Sequence, residues 1–145
     1  MFLATVESVL LYGSETWTLT QTMEKQLNGC YTRMLRMAFN ISYKDHVTNE
    51  DLYGNLPQVT SKIMMRRMRL AGHCWRHKEE IASSLVLWEP QDGIRSRGQQ
   101  KTTFIDRLLL DSGLDKTRKL GTLMEDRKQW KKVVACAGRL DGRPR

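Results

Sequence analysis

The sequence predicts an all-α protein, an irregular bundle of about five to seven helices with one exposed basic loop. Apolar residues recur at helical spacing along most of the chain, and no stretch sustains the alternation that is typical of strands. Residue types that begin and end helices divide this pattern into segments. The chain has 145 residues, which is long enough for one domain with a modest core.

Apolar periodicity and local caps define the N-terminal segments. Residues 2–11 form a short apolar helix that Gly13 ends. Thr20 is the N-cap of a longer helix, whose apolar stripe contains Met23, Leu27, Cys30, Tyr31, Met34, Leu35 and Ala38. Thr48 begins a variant capping box for a helix of barely two turns that ends at Gly54.

The later segments follow from the same signals. Pro57 suits the first turn of the next helix, and residues 78–88 offer another short one. Residues 90–101, PQDGIRSRGQQK, have no apolar periodicity and indicate an exposed loop. Thr103, followed three residues later by an acid, opens a helix at residues 104–111 that Gly113 ends. One face of a last helix contains Leu120, Leu123, Trp130, Val134 and Ala137.

These segments group into four predicted regions. A helical region covers residues 1–88, a basic loop residues 89–103, C-terminal helices residues 104–137 and a flexible tail residues 138–145. We expect the tail to be frayed, as is common at chain ends.

Cysteine usage and hydropathy predict an intracellular protein. The three cysteines, Cys30, Cys74 and Cys136, are far apart and odd in number, which argues against a disulfide framework. The first residues lack a basic leader and a cleavage site for secretion. No apolar run approaches the roughly 20 residues of a membrane span. We therefore expect a location in the nucleus or cytoplasm, without secretion and without a membrane partner.

Positive charge is concentrated in the second part of the chain. The net charge is +8, from 24 Lys and Arg against 16 Asp and Glu. Residues 1–60 hold 4 basic and 6 acidic side chains, whereas residues 61–145 hold 20 and 10. An excess of positive charge confined to one region is more typical of a protein with a polyanionic partner than of one whose charges only solvate its surface.

The stretch KIMMRRMRLAGHCWRH, residues 62–77, shows where that charge is placed. On a helix, five potential cations fall at i, i+4, i+7, i+11 and i+14, within an arc of about 80°: Lys62, Arg66, Arg69, His73 and Arg76. We call these five residues the basic stripe. Like charges at this spacing repel, and a nucleic-acid backbone would relieve the repulsion. Arg95, Arg97 and Lys101 of the loop would assist.

Two alternatives stay open for this stretch, and one of its arginines lies off the stripe. The stripe is also compatible with a helix face that is merely solvated. If Gly72 ends the helix as its cap, His73 and Arg76 leave the stripe. Arg67 lies on the apolar arc, where we expect its stem to pack and its guanidinium to reach solvent.

Metal binding and catalysis have weaker support. Cys74 and His77 give one pair of potential zinc ligands, with His73 beside them, but no second pair exists. No glycine-rich phosphate loop and no nucleophile elbow occurs. The sequence therefore predicts no metal, no cofactor, no small-molecule substrate and no catalytic residue.

Several segments, in order, resemble the region downstream of the polymerase palm in non-LTR retrotransposon reverse transcriptases of the RTE-like type. They are LLYGSETWTLT, CYTRMLRMAFNISYKDHVTNEDLYGNLP, KIMMRRMRLAGHCWRH, LVLWEP, GIRSRG, TTFIDRLLLDSGL and LMEDRKQWKK. Together they cover essentially the whole chain. The family's basic run after the Gly-Ile-Arg-Ser segment reads Arg97-Gly98-Gln99-Gln100-Lys101 here, so two of its positions are neutral.

This resemblance implies a thumb-like region at residues 1–88 and a non-catalytic part that grips template and primer. The palm that would carry the metal-binding aspartates is then a partner of the full-length protein, because no FADD-like or YADD-like motif occurs here. A helical protein-interaction module, using the apolar face of residues 2–11, is the alternative. A truncated element copy without a selected function is another.

Overall fold

The computed structural model describes residues 2–89, 98 and 102–140. These residues form two 3₁₀ helices, Ser14–Thr16 and Tyr43–Asp45, and no strand. They also form eight α-helices: α1 (Phe2–Leu10), α2 (Gln21–Ala38), α3 (Asn49–Tyr53), α4 (Val59–Arg76), α5 (Ile81–Val86), α6 (Phe104–Ser112), α7 (Thr117–Glu125) and α8 (Arg127–Leu140). The all-α prediction is therefore confirmed, with one helix more than the upper number predicted.

Local caps set several of these boundaries as predicted. The Thr20 hydroxyl accepts a hydrogen bond from the backbone at the start of α2, and Thr48 does the same for α3. Thr103 and Asp106 exchange both bonds of a capping box at 3.0 and 2.7 Å. Gly113 ends α6 with a φ of 69°, a conformation that favours glycine.

The predicted last helix is divided in two at Asp126. Its backbone is extended (φ −84°, ψ 105°), and its carboxylate accepts bonds from the N–H groups of Lys128 and Gln129 at 2.8 and 3.2 Å. Asp126 therefore caps α8 while it ends α7. Helix α8 continues to Leu140, past residue 138 where the tail was predicted to begin.

Other predicted boundaries shift by a few residues. Helix α4 begins after Gln58, whose backbone (φ −58°, ψ 153°) is not helical, so Pro57 lies outside the helix. The helix expected at residues 78–88 is shorter, as α5 shows. On the predicted stripe of α2, Tyr31 and Leu35 are buried, whereas its other members range from partly buried to exposed.

Two apolar clusters form the core, and α4 contributes to both. Ile63 and Val59 of α4 pack in the first cluster with Tyr31 and Leu35 of α2, Leu52 of α3, and Leu11, which directly follows α1. Met64 packs in the second cluster with Met68, Ala71, Val86, Leu108, Leu120, Met124, Trp130, Val134 and Ala137. The boundary between the clusters therefore falls inside one helix.

Helix α4 passes through Gly72 without interruption, so the alternative in which Gly72 ends the helix is wrong. Gly72 is buried, and a Cβ atom there would overlap the indole of Trp130 on α8. The Trp130 Nε1 donates a 2.8 Å hydrogen bond to the carbonyl of Met68. Glycine is thus present for the close approach of α8, and not as a cap.

A buried ionic network connects the helices. Arg67 is only 1% exposed; its guanidinium pairs with Asp111 of α6 and donates to the Trp17 carbonyl at 2.8 Å. The prediction that the Arg67 guanidinium reaches solvent is therefore wrong. Arg107, also buried, pairs with Glu24 of α2 and lies 3.7 Å from Asp111. Each buried charge has a charged partner, as burial requires.

Candidate nucleic-acid interface

The N-terminal half of the basic stripe is already paired with acidic residues. The Lys62 ammonium lies 2.6 Å from the Glu7 carboxylate of α1. The Arg66 guanidinium lies 2.6 Å from the Glu15 carboxylate of the first 3₁₀ helix. These two cations therefore hold the N-terminal segments against α4, and an added phosphate would compete with carboxylates for them.

The electrostatics of Glu7 reflect this pairing. Burial raises the pKa of Glu7, but hydrogen bonds from Lys62 and Tyr31, with the positive charges of Lys62 and Arg66, bring it below its ordinary value. For Glu15, a backbone hydrogen bond and the pairing with Arg66 likewise lower the pKa, against a raising effect of burial. Both carboxylates are thus ionised at neutral pH and screen their partners.

The C-terminal half of the stripe is open. Arg69 and His73 are exposed and have no carboxylate within ion-pair distance in the described part of the chain. Arg76 is partly buried and donates from Nη1 to the Met124 carbonyl at 2.9 Å. A carbonyl carries no net charge, so this contact does not neutralise the Arg76 guanidinium. The five residues lie on one helix, but only these three lack an acidic partner among the residues that the structure describes.

The histidine and cysteine cluster next to the stripe does not assemble into a ligand set. The rings of His73 and His77 lie with centroids 4.3 Å apart. Cys74 is partly buried and packs against the second apolar cluster. Among the described residues, no group of three or more His, Cys, Asp or Glu side chains is arranged to hold a metal ion.

Helix α8 presents cations that were not among the predicted site residues. Arg127, Lys128, Lys131 and Lys132 are all exposed. Their signal in the sequence is RKQWKK, two i, i+4 pairs of cations on either side of the buried Trp130. Repulsion within such pairs, close to the positive end of the helix dipole, makes this a second surface that favours anions.

The three predicted loop contacts, Arg95, Arg97 and Lys101, lie outside the described residues. Their part in the site stays a prediction from the sequence.

A cleft of about 840 Å³ lies among α2, α6 and α8, and its lining includes Thr60 and Met64 of α4. Its charged lining consists of Glu24, Lys25, Arg107, Asp111 and Lys132. The two carboxylates pair with Arg107, so they stabilise the contact between helices. Lys25 and Lys132 are exposed. The cleft therefore offers lysines beside a structural ion-pair network.

Within the described ranges, no helix combines the length and the apolar character needed to cross a membrane.

Comparison with known proteins identified no relative of this chain. No protein-family model, no curated protein and no solved structure matches the chain. The resemblance to non-LTR reverse transcriptases rests on the ordered sequence segments alone, and it stays a prediction.

Proposed function

We propose that this chain binds the phosphate backbone of nucleic acid without catalysing a reaction, as the thumb and post-thumb part of an RTE-like reverse transcriptase. The observation that carries the proposal is the open end of the basic stripe, where Arg69 and His73 are exposed beside Arg76. In a purely structural role, a partly buried acid would neutralise these groups, as Glu7 does for Lys62.

Uncompensated positive charge on one helix face favours phosphate binding. Cations held on one helix face repel each other by a few tenths of a kcal/mol per pair. Phosphates relieve that repulsion, and each cation that neutralises a phosphate also releases condensed counterions. Backbone contacts carry no sequence information, so the binding is sequence-tolerant and strongly dependent on salt.

Lys62 and Arg66 take a supporting part in this proposal. Their carboxylate partners are 2.6 Å away in both cases, so binding a phosphate would cost an existing ion pair. We assign phosphate contact first to Arg69, His73 and Arg76. The loop residues Arg95, Arg97 and Lys101 complete the proposed contact set.

A salt titration with a primer–template duplex tests the proposal. Affinity for RNA, DNA and hybrid duplexes is measured at several salt concentrations for the wild type, Arg69→Glu and Arg33→Glu. Arg33 is an exposed cation of α2 and gives the same change of charge away from the stripe. We expect Arg69→Glu to reduce the slope of log K against log salt by about one, and Arg33→Glu to leave it nearly unchanged.

Two results would contradict the proposal. The first is wild-type protein that shows no salt-sensitive binding to any of the three duplexes. The second is an equal loss in both variants, which would indicate a response to net charge and not to the stripe.

A protein-interaction module is the second candidate, and one observation favours it. Ile81, Leu85 and Trp88 occur at i, i+4 and i+7 on α5 and just after it, and they are 80%, 60% and 61% exposed. Exposed large apolar side chains at this spacing would suit a contact site with another protein. Self-association that persists in high salt and is abolished by Leu85→Glu, without retention of nucleic acid, would support this function instead.

A further inference from the structure

Helices α4 and α8 pack antiparallel, and two close approaches fix their register. Trp130 lies against Gly72, and a Cβ atom on Gly138 would lie 2.7 Å from the Met65 sulfur. Moving back along α4 from 72 to 65 therefore corresponds to moving forward along α8 from 130 to 138. Lys131 is therefore level with about Ala71, between Arg69 and His73 along the common axis.

The rotation of each side chain around its helix follows from 100° per residue. We count rotation as positive in the direction in which the helix advances from one residue to the next. On α4, measured from Gly72, Arg76 is rotated by about +40°, Arg69 by about +60° and His73 by about +100°. On α8, measured from Trp130, Arg127 is rotated by about 60° and Lys131 by about 100° in the same sense.

Equal rotations lead to the same side of an antiparallel pair. Such a pair is related by a twofold axis perpendicular to the plane of the two helices, and this axis exchanges the helices without exchanging the two sides. Arg127 and Lys131 of α8 therefore lie on the side of Arg69 and His73. Lys128 and Lys132 are rotated by about 160° or more from Trp130. They therefore lie off this side of the pair, and Lys132 lines the cleft described above.

We propose that Arg69, His73, Arg127 and Lys131 line one shallow channel between α4 and α8, which holds a single strand of a polynucleotide backbone. The inference rests on the proposed function and adds α8 as its second wall. The axes of packed helices are about 8–10 Å apart, so side chains from both walls reach a strand that runs between them.

The surrounding charges support this channel. All four side chains are exposed, and in the described part of the chain none forms an ion pair with a carboxylate. The nearest acid in sequence, Asp126, uses its carboxylate to cap α8. The Glu7 and Glu15 carboxylates lie with Lys62 and Arg66 toward α1. The channel is therefore cationic on both walls.

Helix α8 offers a matched pair of double variants for the test. Arg127→Glu with Lys131→Glu changes the channel wall, and Lys128→Glu with Lys132→Glu makes the same change of charge one position further along the same helix. Each is titrated with the same duplex across salt concentrations. We expect the channel pair to lose at least tenfold more affinity than the outer pair, with the salt slope reduced by about two.

Each outcome decides one question. Equal losses in the two pairs, or a greater loss in the outer pair, would overturn the channel while wild-type binding still supports the proposed function. Wild-type protein that binds no duplex would overturn the function itself. The corresponding alanine pairs, which retain high helix propensity, give the same comparison if a glutamate pair fails to fold.

Discussion

Glu7 shows how one carboxylate organises side chains from two other helices. Its Oε2 accepts hydrogen bonds from the Lys62 ammonium and the Tyr31 hydroxyl, both at 2.6 Å. Tyr31 is fully buried, and its burial, followed by the hydrogen bond and charge of Glu7, raises its pKa well above the ordinary value. The folded state therefore favours the protonated phenol.

Tyr31 is expected to make stability dependent on pH in the alkaline range. Its pKa is higher in the folded than in the unfolded chain, so its contribution is complete below the ordinary value of 10.0 and is lost as pH rises above it. Tyr31→Phe should cost about 1–3 kcal/mol at neutral pH and should weaken the alkaline loss. Denaturant unfolding of both proteins at pH 7 and above pH 10 measures this.

Tyr12→Phe is the control, because Tyr12 is 86% exposed. It should leave stability at pH 7 unchanged. An alkaline loss of the same size in Tyr31→Phe and wild type would contradict the assignment.

At this scale the sequence predicted which residues carry charge on one face of α4, but not which of them are neutralised. Glu7 lies 55 residues before Lys62, and Glu15 lies 51 before Arg66. No local pattern links residues so far apart, because tertiary packing alone brings them together. The burial of the Arg67 guanidinium escaped prediction for the same reason.

Helices α4 and α8 meet through a glycine and a tryptophan. Gly72 leaves space for the Trp130 ring, and the Trp130 N–H satisfies a backbone carbonyl of α4 at Met68. Arg76, one turn after Gly72, donates to the carbonyl of Met124 at the end of α7. The open end of the basic stripe is therefore held in place by contacts with the two C-terminal helices.

Gly72→Ala is expected to destabilise the fold although alanine favours helix. The added methyl would displace the Trp130 indole, and overpacking of this kind costs about 1–3 kcal/mol. Gly29→Ala on α2 is the matched control, because a Cβ there meets nothing within 4 Å. Gly29→Ala should stabilise by about 0.5–1 kcal/mol. Urea unfolding that ranks the two variants in the opposite order would contradict the packing described for α4 and α8.

Helix boundaries that are set by hydrogen bonds within a few residues were predictable from the sequence. Features that are set by packing between distant segments were less so. Thr20, Thr48 and Thr103 cap their helices as expected, because a side chain reaches its own backbone three residues on. The division of the last helix at Asp126 was missed, since the apolar face continues through it. Gly72 lies inside α4 because Trp130 of α8 packs against it, and the sequence alone does not show this contact.

Across the whole molecule, the Arg67 and Arg107 guanidinium groups join segments from both apolar clusters. Arg67 of α4 and Arg107 of α6 share Asp111, and Arg107 also reaches Glu24 of α2. Asp111 is 4% exposed at its side chain, so the ion pairs are screened little by solvent. Their removal therefore affects the arrangement of three helices together.

Asp111→Ala is expected to cost about 3–5 kcal/mol, because it leaves buried arginine charge without its shared partner. Asp115→Ala, at an exposed position just after α6, is the control and should change stability by less than about 0.5 kcal/mol. Thermal unfolding of the two variants beside wild type measures both values. A loss in Asp111→Ala no larger than the control's would show that the network contributes little.

The passage of α4 through both apolar clusters has a consequence for cooperativity. Ile63 anchors one cluster and Met64 the other, with no turn between them at which the chain could part. Unfolding of the helices around either cluster would also disrupt α4, and the other cluster would then lose the residues that α4 contributes to it. The described helices are thus expected to fold and unfold as a single all-or-none unit, in which the N-terminal and C-terminal segments share one fate.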